Sequence, residues 1–128
     1  MPATLTAIAL AGAFGTLCRF GLGEVMNRWC GSELHPWGIL AANVLGSLLA
    51  GLLWMLFETK SGWKEPWTLP AFIGFLGAFT TFSTVMLEAA KLMAAGSYAA
   101  ALGVLALQNV SGLAAALGGI WLGRVWFA

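Results

Sequence analysis

The segment Gly74-Phe-Leu-Gly-Ala-Phe-Thr-Thr-Phe-Ser-Thr84 lies within the charge-free run Trp67–Leu87, which is 21 residues long and therefore long enough to cross a bilayer. Two glycines precede a cluster of hydroxyl side chains around Phe82, namely Thr80, Thr81, Ser83 and Thr84. Hydrocarbon offers no water to hydroxyls or to loosened backbone, so irregular polar chain at that depth persists where it lines a cavity or pathway. The segment predicts a membrane helix broken near mid-membrane, at about Gly77–Phe79.

The rest of the chain has a membrane protein's composition. It is 60% hydrophobic, 9% charged and free of aspartate, whereas a soluble domain carries roughly a quarter charged residues. Three further charge-free runs are Met1–Cys18, Trp37–Phe57 and Leu92–Gly123. Because a span needs about 20 apolar residues, we predict an all-α protein with four transmembrane helices. They should lie at roughly 3–27, 37–58, 67–94 and 97–126, within a single transmembrane domain of residues 1–128.

Lysine and arginine give no orientation signal, although they normally accumulate on the cytoplasmic side. The side that holds both termini and the second loop carries Lys60, Lys64 and Arg124. The other side carries Arg28 and Lys91, with Arg19 able to reach it by snorkelling. A balanced count favours insertion in both orientations, and four thin helices enclose little volume. We therefore expect an antiparallel, dual-topology dimer.

The polar residues expected inside the bilayer are uncharged: Asn43, Thr80, Thr81, Ser83, Thr84, Gln108, Asn109 and Ser111. Proton-coupled pumps usually need an ionisable group at depth, and the nearest acids, Glu24 and Glu88, lie toward helix ends. The single histidine, His35, falls in a loop, so neither a metal site nor a catalytic triad is expected and the chain should not be an enzyme. Neutral donors favour an anion or a small neutral solute, while carbonyls freed by a helix break favour a small cation such as sodium.

Three motifs in the sequence share one resemblance. The first helix carries Gly12-x-x-Gly15-x-x-x-Arg19, and the second carries Trp37-Gly-Ile-Leu-Ala-Ala-Asn43-Val-Leu-Gly46. The third motif, the Gly74–Thr84 segment, is the most specific. Together they resemble the motifs of the small fluoride channels of the Fluc/CrcB family. The resemblance implies a fluoride-selective channel that exports fluoride passively and confers resistance to its toxicity. It also implies an antiparallel dual-topology homodimer in a bacterial inner membrane, with two fluoride pathways and a central sodium ion.

The same resemblance implies roles for individual residues. Backbone carbonyls of Gly77 and Thr80, from both subunits, would hold sodium at the dimer axis. In the fluoride pathway, Asn43 would donate to the ion and the aromatic ring of Phe82 would face it. Ser83 and Thr84 would contribute to a polar track, and Ser111 would belong to the same pathway. Arg19 matches a basic residue near the vestibule, and Glu88 matches an acid one turn beyond the break.

The sequence departs from the family pattern at several positions. A second phenylalanine and the serine after it are replaced by Val85 and Met86. On helix four, a tyrosine is replaced by Val104, and a serine and a threonine by Gly112 and Ala116, although Ser111 is adjacent to the first. These changes remove polar and aromatic side chains from one fluoride pathway. They leave open whether the chain forms a homodimer with altered conduction or one subunit of a heterodimeric channel.

Other interpretations also remain at this stage. A small dual-topology exporter of the multidrug type fits the length and charge balance, but it requires an acid in the middle of helix one. This chain has Ala13–Thr16 there and no carboxylate before Glu24. A non-transporting membrane scaffold would leave the polar break unexplained. Serine and threonine can also donate to the carbonyl four residues back, and Asn43 could simply join two helices.

Overall fold

The computed structural model describes residues 1–31, 36–60 and 64–127, and within these ranges it is almost entirely helical, without strands. Four helical spans are long and apolar enough to cross a membrane: Pro2–Cys30, Pro36–Thr59, Pro66–Ala94 and Tyr98–Phe127. The predicted all-helical fold with four spans is confirmed. The dipeptide Ser61-Gly62 is typical of a turn. That predicted turn and the expected loop position of His35 lie outside the described residues.

The elements are labelled in chain order as α1 (Pro2–Cys30), α2 (Pro36–Thr59), α3 (Lys64–Leu69), α4 (Gly77–Phe79), α5 (Ser83–Ala94) and α6 (Tyr98–Phe127). The third span therefore contains α3, α4 and α5. A π-helical segment, Pro70–Leu76, joins α3 to α4. Pro70 has no N–H and its ring crowds the carbonyl four residues earlier, so a wider turn is the natural local solution. Residues 80–82 are not helical and separate α4 from α5.

A tight turn connects α5 to α6. Gly96 adopts a left-handed conformation with φ 77°, which glycine accepts without a steric penalty. Its N–H donates to the carbonyl of Met93 at 2.9 Å, and the N–H of Ser97 donates to the carbonyl of Leu92 at 2.8 Å. These bonds satisfy carbonyls at the end of α5. The turn thereby brings α5 and α6 into contact, as expected for two helices joined by a connection as short as Gly96-Ser97.

The most extensive helix pairing is between α2 and α6, and it depends on small residues. Gly51, Gly119 and Gly123 are buried along this pairing. A β-carbon at Gly51 would overlap the carbonyl oxygen of Ala116, and one at Gly119 would overlap that of Leu48. Membrane helices associate by close van der Waals packing, which glycine permits. These glycines therefore fix the distance between the two helices that carry the polar amides described below.

Substitution of Gly51 by valine should separate α2 from α6, because the added atoms meet backbone that cannot rotate away. Overpacking typically costs about 1–3 kcal/mol, and the lost helix contact adds to that. We expect a markedly lower thermal unfolding midpoint for the purified protein in detergent. Gly103→Val is the matched control. Gly103 lies on α6, the helix that packs against α2, but a β-carbon there meets nothing within 4 Å. Equal stability of the two variants would contradict this packing.

Candidate functional site

The break in the third span lies at residues 80–82, just beyond the position expected from the glycine pattern. Thr80 is extended, with φ −93° and ψ 160°. Gly77 remains helical, with φ −61° and ψ −33°. Glycine permits a break without forcing one, so the location is decided by which backbone groups find other partners. Those partners lie on α1 and α2.

Asn43, on α2, provides most of them by pairing with the backbone of Thr81 in both directions. Its side-chain oxygen Oδ1 accepts from the Thr81 N–H at 2.8 Å, and its Nδ2 donates to the Thr81 carbonyl at 3.0 Å. In an uninterrupted helix, the Thr81 N–H would instead donate to the carbonyl of Gly77. An unpaired backbone group in hydrocarbon costs several kcal/mol. Asn43 therefore stabilises the open backbone of the break.

A second amide completes this arrangement. The remaining N–H of Asn43 Nδ2 donates to Oε1 of Gln108, on α6, at 3.1 Å. The sequence placed Gln108 inside the bilayer but gave it no role. The available signal was the presence of two uncharged amides at similar depth on different helices, because such groups pair where water is absent. The close approach of α2 and α6 allows the pairing.

Arg19 reaches the same break from α1. Its guanidinium Nη1 lies 3.4 Å from the carbonyl oxygen of Thr80, and the contact is partly buried. The Thr80 hydroxyl donates to the carbonyl of Leu76 at 2.8 Å, and its methyl group packs against Gly46. The carbonyl expected to bind sodium thus faces a positively charged side chain within one subunit. Gly77 is exposed.

Three hydroxyls form a cluster where α5 begins. Thr81 Oγ1 lies 2.9 Å from Thr84 Oγ1 and 3.5 Å from Ser83 Oγ, and it accepts a long hydrogen bond from the Thr84 N–H at 3.4 Å. The N-terminus of a helix carries partial positive charge from its unpaired N–H groups. The cluster therefore places neutral donors beside a favourable electrostatic site for an anion.

Two cavities meet at the break. The first has a volume of about 390 Å³, and its lining includes Asn43, Thr81, Phe82, Gln108 and Val85. The second, of about 380 Å³, is lined among others by Arg19, Glu24, Thr81 and Thr84. Thr81 lines both. A polar segment that borders two open spaces is the kind of arrangement that a path through the protein requires.

The structure separates the residues expected on the pathway. Phe82 is 73% exposed and borders the first cavity, and Thr84 borders the second. Ser83 joins the hydroxyl cluster at α5, while Ser111 donates to the carbonyl of Leu107 on its own helix. Both N–H groups of Asn43 are engaged within the chain. Its expected role as a fluoride donor, like that of Ser111, stays a prediction.

Glu88 and Val85 occupy the helix that follows the break. Glu88 is half-buried on α5, and it forms no ion pair with any described residue. Val85, at the position where the family pattern has a second phenylalanine, is 4% exposed and borders the first cavity. A smaller side chain therefore leaves part of that cavity open.

Comparison with known proteins gives a consistent result. Residues 6–120 match the family described as "CrcB-like protein, Camphor Resistance (CrcB)". A protein of Desulforapulum autotrophicum called "Fluoride-specific ion channel FluC" is 41% identical over 92% of this chain and 94% of its own length. Two other proteins with this name are also similar to the chain. The one from Salinibacter ruber is 43% identical over 83% of this chain and 78% of its own length. The one from Chloroflexus aurantiacus is 39% identical over 96% of each chain.

Proposed function

The chain belongs to the CrcB-like family, and we propose that it is a fluoride-selective channel through which fluoride leaves the cell passively. It is a multi-pass protein of the bacterial membrane, and its function is transport rather than catalysis. The observation that carries the proposal is the break at Thr80–Phe82, where Thr81, a neutral donor, borders both cavities. An open backbone in hydrocarbon is energetically costly, so a break at this site indicates a functional role.

The chemistry of the break suits a small, strongly hydrated anion. Fluoride must exchange its water shell for other donors as it enters a narrow path. Hydroxyls and amides supply such donors without burying a formal charge that would trap the ion. The edge of an aromatic ring, which Phe82 can present, carries partial positive charge and adds to the attraction. Chloride holds water less tightly, so it gains less from strong donors in a confined site.

A multidrug-type exporter is disfavoured by the same structure. Such a protein needs an acid at depth to bind cationic compounds or protons. In α1 the first carboxylate is that of Glu24, which is exposed and borders the second cavity together with Arg19. The positive charge of Arg19 on the same cavity weakens any attraction for a positively charged compound. The fluoride channel is the function favoured by the site and by the relatives.

The proposal includes a second copy of the chain in the opposite orientation. Helix α1 exposes large apolar side chains, among them Phe14 at 62%, Leu17 at 67% and Phe20 at 69%. Lipid or another subunit must cover these faces in the membrane. An antiparallel homodimer would cover some of these apolar side chains. It would also agree with the balanced number of lysines and arginines on the two sides, which lets the chain insert in both orientations.

The proposal also includes a sodium ion between the two copies, bound by carbonyls of Gly77 and Thr80. Gly77 is exposed, and the N–H that would normally bond to its carbonyl is directed to Asn43. Among the residues that the structure describes, the Thr80 carbonyl accepts only a long bond from Arg19, at 3.4 Å. A carbonyl oxygen has two lone pairs, so one remains for a cation, whose attraction to the carbonyl dipoles must exceed its repulsion from the Arg19 guanidinium. Carbonyls of two subunits would supply four oxygen ligands, which suits a hard cation.

Removal of sodium should therefore weaken the protein. Replacement of sodium by N-methylglucammonium on both sides of the membrane should slow fluoride efflux about tenfold, equivalent to about 1.4 kcal/mol. It should also increase the monomer fraction in detergent at low protein concentration. Restoring sodium at unchanged ionic strength is the control. Efflux and dimer fraction that do not respond to sodium would rule out this ion site.

Bacterial cells whose own fluoride export has been deleted provide the test of the function. Production of this chain should restore growth at fluoride concentrations that stop these deletion cells. In chloride, cells with and without the chain should grow equally. The empty vector is the matched control, and membrane fractions establish that the protein is present. Failure to protect, with the protein in the membrane, would count against a homodimeric fluoride channel. Protection that appears only with a coexpressed second family member would identify the heterodimer.

A further inference from the structure

The hydrogen bonds of Asn43 leave it without a free donor. The Thr81 N–H can only donate and the Thr81 carbonyl can only accept, so together they fix which side of the Asn43 amide carries the oxygen. Of its two N–H groups, one donates to Thr81 and the other to Gln108. An anion in the first cavity must therefore find its donors elsewhere.

Gln108 has the donors that Asn43 lacks. Its Oε1 accepts from Asn43, and this contact determines which side of the Gln108 amide carries the nitrogen. The two N–H groups on Nε2 make no hydrogen bond to any residue that the structure describes. Gln108 is half-buried and borders the first cavity. Amide N–H groups that lack a protein partner in a membrane cavity require water or an anion.

Ser47 supplies a second unused donor, one turn beyond Asn43 on α2. Its hydroxyl is without a hydrogen-bond partner among residues 1–31, 36–60 and 64–127, whereas the hydroxyls of Thr16 and Ser111 donate to carbonyls four residues back. Ser47 Oγ lies 3.5 Å from the place that a β-carbon at Gly112 would occupy. Both residues border the first cavity. The hydroxyl thus lies against α6 on the same wall as Gln108.

We propose that the Nε2 amide of Gln108 and the hydroxyl of Ser47 bind the anion in the first cavity, while Asn43 positions Gln108 without touching the ion. This assignment rests on the proposed fluoride transport and names its ligands in this chain. Phe82 forms another wall of the same cavity. The missing hydroxyl at Gly112 is supplied from α2, which explains how α6 can carry a glycine there.

Fluoride binding and fluoride transport should be measured separately on the same purified protein. Binding is followed by broadening of the ¹⁹F resonance of free fluoride on titration with protein in nanodiscs, and transport by efflux from liposomes. Gln108→Leu and Ser47→Ala should each weaken binding and slow efflux about tenfold or more, as expected for loss of a hydrogen bond to a charged group. Ser47→Thr keeps the hydroxyl and should retain both. Thr16→Val, which removes a hydroxyl that bonds within α1, is the matched control.

The outcomes distinguish the ligands from the function. Unchanged binding in both Gln108→Leu and Ser47→Ala would overturn the assignment, and wild-type efflux would then leave the channel itself standing. Binding that depends on these two residues in a protein without efflux would support the ligands and reject the channel. Wild-type protein that binds no fluoride would overturn the ligands, with efflux deciding the function independently. Size-exclusion profiles that match wild type show that a variant is folded.

Discussion

Asn43→Ala should slow fluoride efflux by about one to two orders of magnitude. The substitution removes the three hydrogen bonds that hold the break: two to the backbone of Thr81 and one to Gln108. A buried polar group left without its partner costs about 1–3 kcal/mol, which corresponds to about one to two decades in a rate limited at that point. Thr81 would regain a helical partner or lose order, and Gln108 would lose the contact that orients it.

Asn43→Asp separates shape from hydrogen bonding. Aspartate has nearly the same size but lacks both N–H donors, so it should be as slow as alanine or slower. The Thr16→Val variant, which loses a hydroxyl in α1 away from the break, should transport fluoride at the wild-type rate. Wild-type efflux from Asn43→Ala would show that the amide is not needed to hold the path open.

A chain with biased orientation should be inactive alone. Ala95→Lys with Ala99→Lys adds two positive charges at the exposed α5–α6 turn, and Ala3→Lys with Thr59→Lys adds two on the opposite side. The wild-type chain is balanced, so two charges should fix its orientation. If the active form is an antiparallel homodimer, each biased chain loses its oppositely oriented partner and fluoride efflux should fall to the background of empty membranes.

Coexpression provides the decisive comparison for this second prediction. The two biased chains together carry opposite orientation signals, so they should assemble and recover efflux near the wild-type rate. Each pair of substitutions serves as the control for the other, because both add the same number of lysines at exposed positions. Full efflux from either biased chain alone would exclude the antiparallel dimer.

The positions of the membrane helices could be read from the sequence because they depend on local composition. Charge-free runs place all four spans, and the structure differs from the expected bounds by only a few residues at most ends. The existence of a break also followed locally, from hydroxyls next to glycines. Its location did not follow, because the residue that holds Thr81 is Asn43, 38 positions earlier in the chain. The Thr80 carbonyl likewise depends on Arg19, 61 positions away.

The polar wall on α6 shows a second limit of sequence reasoning. Ser111 was chosen because it is adjacent to Gly112, but successive residues on a helix point about 100° apart. The structure instead brings Gln108 and Gly112, four residues apart, to the first cavity. Residues at that spacing share a face. Which face meets α2 depends on glycine packing between distant segments, and no local pattern in α6 reveals it.

The central claim is that fluoride passes through this protein by itself, down its own gradient. It is tested most directly by efflux from liposomes that contain the purified chain, loaded with potassium fluoride or potassium chloride. Passive movement of an anion leaves charge behind, so fluoride should stay inside until valinomycin lets potassium follow, and should then leave rapidly while chloride remains. No fluoride efflux after valinomycin, or equal efflux of chloride, would contradict the account.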